Sequence, residues 1–229
     1  VKVSSSINPT ELVKAAATEF ERVVLEVLRQ KPRARILLTG GTLGIQFVSQ
    51  LSKLDLPWSK IWLMFSDERY VPLNDPDRNE LQGIKAWPAL AQHLTRFPEA
   101  SGDLGFAAEQ MEKKLFLELG PVAEQSALFD ITILGMGPDS HVASLFPDHE
   151  RPGGWIVAEP ESPKPPKERL SLSYQALNRS ERVWFVASGS AKTWAVKESM
   201  RADSGLPASR VRGKLETRWF LDQEITDEL

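Results

Sequence analysis

The chain contains no cysteine, which excludes disulfide bridges, thiolate nucleophiles and cysteine-bound zinc or iron–sulfur centres, and fits a reducing compartment. Histidine is scarce: there are 3 in 229 residues, and His93, His141 and His149 are dispersed without a compact carboxylate–histidine pattern. Neither a metal centre nor a cofactor is expected. No apolar run approaches the roughly 20 residues needed to cross a bilayer. Residues 1–10 lack the basic start and apolar core of a targeting leader. A broad excess of one charge is missing too: 28 basic side chains face 31 acidic ones, a formal net charge of -3. No wide cationic surface is available for nucleic acid, so any anion site must be local. These absences lead us to expect a cytoplasmic protein with no membrane or nucleic-acid partner, and they leave its oligomeric state open.

What is present supports a packed core. The composition is 41% apolar and 26% charged, with 7 tryptophans, as expected of a globular chain. The length exceeds a soft prior of about 100–200 residues per domain but still favours one domain over residues 1–229. Asn8 is placed to cap a helix, with Pro9 at its first position and Glu11 completing a capping box. Leu12, Val13, Ala16, Phe20, Val23, Val24 and Val27 then recur at helical spacing. Arg35–Thr39 reads as a buried strand, Gly40-Gly41 as a turn, and Thr42–Leu54 as a helix; Lys60–Phe65 is a second strand ending at Ser66-Asp67-Glu68-Arg69-Tyr70. Asp103–Leu119 reads as a helix and Phe129–Leu134 as a strand, with Gly135-Met136-Gly137-Pro138 turning the chain and His141–Leu145 opening a short helix. Strands are expected at Trp155–Ala158, Arg169–Tyr174, Arg182–Ala187 and Trp219–Leu221, and a helix at Ala191–Met200. The proline-dense stretch from Glu159 to Lys167 is read as a loop within one domain, beside the active site or on the surface. Repeated strand–turn–helix order gives an α/β fold with a mainly parallel sheet covered by helices.

In such a sheet, ligands bind beyond the carboxyl ends of the strands. There the turn Thr39-Gly40-Gly41-Thr42 offers close backbone approach, hydroxyls and the amides of a helix start, which suits an anion as well as a plain structural turn. It lacks the glycine spacing of dinucleotide sites and the lysine of nucleotide loops. In Asp67-Glu68-Arg69 a carboxylate can orient a base, bind sugar hydroxyls or hold an arginine, and the guanidinium can pin an anion; the bland reading is exposed loop charge. Asn74, Arg78 and Asn79 complete a polar pocket or stabilise turns. His141, in its glycine-rich strand-to-turn setting, is the strongest candidate for a general base, while Asp139 helps shape that turn. Lys164, Arg169 and Lys192 suit phosphate, and Ser188-Gly189-Ser190 reads as a second anion-facing turn.

The ordered set resembles the 6-phosphogluconolactonase family. The resemblance runs through Gly40-Gly41-Thr42, Asp67-Glu68-Arg69-Tyr70-Val71-Pro72 with Asn79, and the stretch from Leu134 to Pro147. It continues through Ser162-Pro163-Lys164-Pro165-Pro166 with Arg169, Gly189 with Lys192, and Leu206-Pro207-Ala208-Ser209. It implies the sugar-phosphate isomerase/deaminase fold and hydrolysis of 6-phospho-D-glucono-1,5-lactone to 6-phospho-D-gluconate without a metal. It also implies His141 as the base that activates water, with Gly41, Thr42, Arg169 and Lys192 on the phosphate. Departures from the family pattern are Thr39, Leu43-Gly44, Arg78 where serine is usual, and Ser140 where glycine is usual. Arg78 is expected either near the ligand or in solvent, and Ser140 to narrow the pocket or to need an unusual backbone. The related glucosamine-6-phosphate deaminases are the alternative, although the acidic residue that follows their histidine is absent from Val142–Pro147. A phosphosugar sensor without catalysis is a third reading.

Overall fold

The computed structural model describes residues 1–121, 123, 126–149, 154–201 and 203–229, and its first helix starts where the sequence places it. Asn8 Oδ1 accepts the Glu11 amide at 2.9 Å, while the Glu11 carboxylate turns to Lys14 instead of closing a reciprocal box. In chain order the main elements are β1 (Lys2–Ser6), α1 (Pro9–Gln30), β2 (Ala34–Leu38), α2 (Gly41–Leu51), β3 (Ile61–Phe65), β4 (Asp67–Arg69), α3 (Asn79–Ala86) and α4 (Leu104–Leu119). There follow β5 (Phe129–Gly135), β6 (Ile156–Glu159), β7 (Arg169–Leu172), α5 (Tyr174–Leu177), β8 (Ser180–Ala187), α6 (Thr193–Met200), β9 (Glu216–Asp222) and α7 (Gln223–Thr226).

Six strands form one sheet in the order β1-β9-β8-β5-β2-β3, and every pairing within it is parallel. Alternate side chains divide the core. Ile36, Leu38, Ile131, Ile133, Trp184 and Val186 pack with the apolar stripes of α1 and α2. Leu37, Trp62, Met64, Phe185 and Trp219 face the opposite layer, which contains α4 and a smaller sheet. That smaller sheet, β4-β7-β6, is antiparallel.

The mainly parallel architecture is the one expected, with local corrections. The small sheet and β1 are additions: Asp67-Glu68-Arg69 is a strand instead of a loop, because β7 supplies its backbone partners at Arg169–Ser171. Residues 141–145 form a tight turn closed by a bridge between Val142 and Leu145, not a helix; Ala143 has φ +49°. No helix among the described residues is long and apolar enough to cross a membrane.

Candidate functional site

The chain runs outward from β2 to β3, then returns to the other side of β2 as β5. Their C-terminal ends therefore flank the kind of switch point where open α/β sheets bind ligands. Gly135 N donates to Thr39 Oγ1 at 3.0 Å, tying the two loop starts together. Beyond them opens a cavity of about 630 Å³. Ten of the residues singled out from sequence line it, Gly40, Gly41, Thr42, Asp67, Arg69, Asn79, His141, Lys164, Arg169 and Lys192, whereas Asn74, Arg78 and Asp139 do not. His93 and His149 are not on its wall.

Gly41, the first residue of α2, has φ +73°, and a side chain there would meet nothing within 4 Å. The backbone conformation, not space, calls for glycine. No side chain caps α2 and no acid lies in its first turn, so its first amides are free to receive an anion.

His141 follows a turn in which Gly137 N donates to the His141 carbonyl at 3.0 Å. Its Nδ1 lies 2.5 Å from Asp139 Oδ1. A carboxylate only accepts, so Nδ1 carries the proton and Nε2 keeps its lone pair. Burial works to raise the Asp139 pKa, but the hydrogen bonds and charge of His141 outweigh it and hold the carboxyl below its ordinary value. The imidazole rests against the Phe146 ring, with centroids 4.8 Å apart. Sequence reasoning gave Asp139 only a part in the turn; its spacing of two residues from His141 was the available signal.

The same cavity carries a concentration of cations. Arg69 and Arg169 are register partners across the small sheet, an arrangement of like charges that is unfavourable by itself. Burial, more than the neighbouring Arg69 charge, lowers the Arg169 pKa, and Asp67 acts against both. Arg169 also organises the proline loop, donating from Nε to the Pro166 carbonyl at 2.7 Å and from Nη2 to that of Lys164 at 3.0 Å. Arg69 donates through Nη1 to the Asp77 carbonyl, while its buried Nε has no partner. Lys192 is lowered by burial and then by the charge of Lys164. Among described residues Asp67 is the only carboxylate on the wall, facing Arg69, Lys164, Arg169 and Lys192. Such a wall fits an anionic ligand.

Asp67 is buried, and its Oδ2 accepts from Ser144 Oγ at 2.7 Å, a partner that sequence reasoning missed because it lies 77 positions away. The reading of Asp67-Glu68-Arg69 as exposed charge is overturned: Asp67 and Glu68 are buried and Arg69 is partly so. Arg78 is neither near the ligand site nor in solvent, and of its readings the stabilising of turns holds. It is fully buried, off the cavity, donating to the carbonyls of Val71, Phe97 and Pro98 and paired with Glu80 at 2.9 Å. Ser140 adopts φ +69°, the unusual backbone anticipated, but its side chain turns inward, with Oγ 2.7 Å from Ser199 Oγ. The proposed second anion turn is also corrected: the amides of Gly189 and Ser190 are taken by Asp222 and Glu224. No group of three or more His, Asp or Glu that could hold a metal ion occurs among the described residues.

Comparison with known proteins places this geometry among relatives. A family model described as glucosamine-6-phosphate isomerases/6-phosphogluconolactonase matches residues 7–219. The chain is 35% identical to a 6-phosphogluconolactonase of Mycobacterium leprae, covering 95% of this chain and 94% of the relative. It is 34% identical to one of Mycobacterium bovis, with the same coverage of 95% and 94%. Its structure superposes on a crystal structure of 6-phosphogluconolactonase from Thermotoga maritima with a TM-score of 0.86 at 28% identity, covering 97% of this chain and 99% of that one.

Proposed function

The chain belongs to the family of glucosamine-6-phosphate isomerases and 6-phosphogluconolactonases, and from that premise we propose how its residues, acting as one catalytic domain over 1–229, perform the reaction. The protein is a hydrolase that converts 6-phospho-D-glucono-1,5-lactone to 6-phospho-D-gluconate in the oxidative pentose phosphate pathway. The observation that supports this reading best is the pairing of an oriented imidazole with a cationic wall. His141, held by Asp139 at 2.5 Å, opens on the same cavity as Arg69, Lys164, Arg169 and Lys192.

The free amides at Gly41 and Thr42, with Arg169 and Lys192, hold the phosphate; Lys164 adds charge at the rim, and Gly40 lets the loop approach closely. Asn79 and Asp67 take sugar hydroxyls. Arg69 faces the lactone oxygen, where negative charge develops. His141 Nε2 removes a proton from water as the oxygen attacks the lactone carbonyl carbon, forming a tetrahedral oxyanion. Asp139 stabilises the resulting imidazolium. As the oxyanion collapses, the bond from carbonyl carbon to ring oxygen breaks and His141 returns the proton to that oxygen. The product is an open-chain acid, which loses its proton to solvent.

The test is consumption of freshly generated lactone by purified, metal-depleted protein, with spontaneous hydrolysis subtracted. Turnover with 6-phosphogluconate as product is expected. A folded protein that binds phosphosugar at background turnover has the sensor's behaviour, and ammonia release from glucosamine 6-phosphate has the deaminase's; either result removes the assignment.

A further inference from the structure

Glu68 sits between two site residues and belongs to neither the cavity nor the surface. It is 1% exposed and is not on the cavity wall. Its Oε1 accepts the amides of Arg69 at 2.7 Å and Asn79 at 2.8 Å, and its Oε2 accepts that of Glu80 at 2.8 Å. The last two are the first amides of α3, whose own N-cap residue, Arg78, makes no side-chain cap. A carboxylate on β4 therefore fills the place of the missing cap and meets the positive end of the helix. The link is closed from the other side, where Asn79 Nδ2 donates to the Asp67 carbonyl at 3.0 Å. One carboxylate off the cavity wall thus sets Arg69 and Asn79 directly and Asp67 through Asn79.

We propose that Glu68 is a positioning residue for the substrate site: its ionised carboxylate clamps β4 to the start of α3 and so holds Asp67, Arg69 and Asn79 in register with the phosphosugar lactone. The clamp is a matter of local geometry; only its activity readouts rest on the lactonase reading.

The clamp depends on pH through its surroundings. Glu80 on α3 and Arg78 at its cap face the carboxylate, with Arg78 Nε 3.8 Å away. Arg69 lies beside it on β4, Arg169 is on the adjoining β7, and Arg96 reaches Glu80 at 3.1 Å. Burial, followed by the like charge of Glu80, pushes the Glu68 pKa up to about 7, against the pull of the amides and Arg78. Protonation turns one acceptor oxygen into a donor facing amide donors, so the clamp loosens as pH falls through about 7. Stability runs the other way. The folded value lies above the ordinary 4.5, so the contribution of Glu68 to folding is complete below 4.5 and lost as pH rises through about 7. The state that serves the site is the less stable one.

The experiment is the pH profile of kcat/KM for the wild type, Glu68→Gln and Glu68→Asp, with amide resonances of the wild type followed over the same range. In the wild type, protonation of Glu68 should add to the acid limb a drop of about 10-fold in kcat/KM centred near pH 7. Glu68→Gln should remove that step and lower the plateau roughly 10-fold, mostly through KM; Glu68→Asp should restore part of both. The amides of Arg69, Asn79 and Glu80 should share one midpoint near 7. A folded Glu68→Gln variant with the wild-type acid limb and plateau overturns the proposal. Should that variant fail to fold, the wild-type amides decide: separate midpoints, or none, overturn it, and a shared midpoint supports it. If the wild type hydrolyses no lactone, the functional reading fails while the amide titration still decides the clamp.

Discussion

Lys192 is an ammonium kept where burial and the charge of Lys164 both favour its neutral form. Because its folded pKa is depressed, its contribution to stability is present only above the ordinary lysine value of 10.5 and is lost as pH falls. At neutral pH the free protein therefore holds a destabilising charge that a bound phosphate relieves. Lys192→Met is expected to raise the melting temperature of the free protein. It should also weaken use of the phosphorylated lactone about 10–100-fold, the range for one hydrogen bond to a charged group. The unphosphorylated lactone is the control, and equal losses on both substrates would count against a phosphate role. The cavity wall was legible residue by residue because most of the side chains that line it lie in short motifs that follow strands. Their partners were not. Ser144 on Asp67, and the carbonyls of Phe97 and Pro98 on Arg78, are long-range contacts with no local signature.

The start of α2 is the element on which the proposed phosphate recognition turns. Gly41→Ala puts a side chain into open space but into a backbone at φ +73°, a strain of about 1–2 kcal/mol for an L-residue. We expect the helix to begin later or to shift its first amides. Loss in KM for the phosphorylated lactone should then exceed loss of folding stability, as read by kinetics and urea denaturation on the same samples. Unchanged KM would show that the amides of this turn do not hold the phosphate. Apolar periodicity made the long elements readable: the stripe from Leu12 to Val27 and the strands Phe129–Gly135 and Ser180–Ala187 needed no tertiary information. It failed where tertiary pairing overrides composition. β4 is a strand of three charged residues, and Lys2–Ser6 is largely polar, so neither shows an apolar alternation.

At the scale of the whole molecule, the edge of the main sheet is joined to its interior through Glu216. Its carboxylate accepts from Lys2 Nζ at 2.7 Å on the edge strand, from Arg218 at 3.0 Å, and from Trp184 Nε1 at 3.0 Å. Burial opposes ionisation, but these three donors overcome it and hold the pKa at about 2. The folded value lies below the ordinary 4.5, so this contribution is present above 4.5 and lost as pH falls toward about 2. Glu216→Gln should remove that part of the acid sensitivity, so the difference between its urea midpoints at pH 5 and pH 3 should be smaller than for the wild type. An unchanged difference would place acid sensitivity elsewhere. The central claim, that His141 activates water within a cationic phosphosugar pocket, is tested most directly by enzyme-dependent lactone turnover in His141→Ala and His141→Asn beside the wild type. Binding of 6-phosphogluconate is measured on the same samples. The expected result is retained folding and binding with turnover reduced about 10²–10⁴-fold in both variants, the scale of positioned acid–base assistance. Near-wild-type turnover in variants that fold and bind would contradict it.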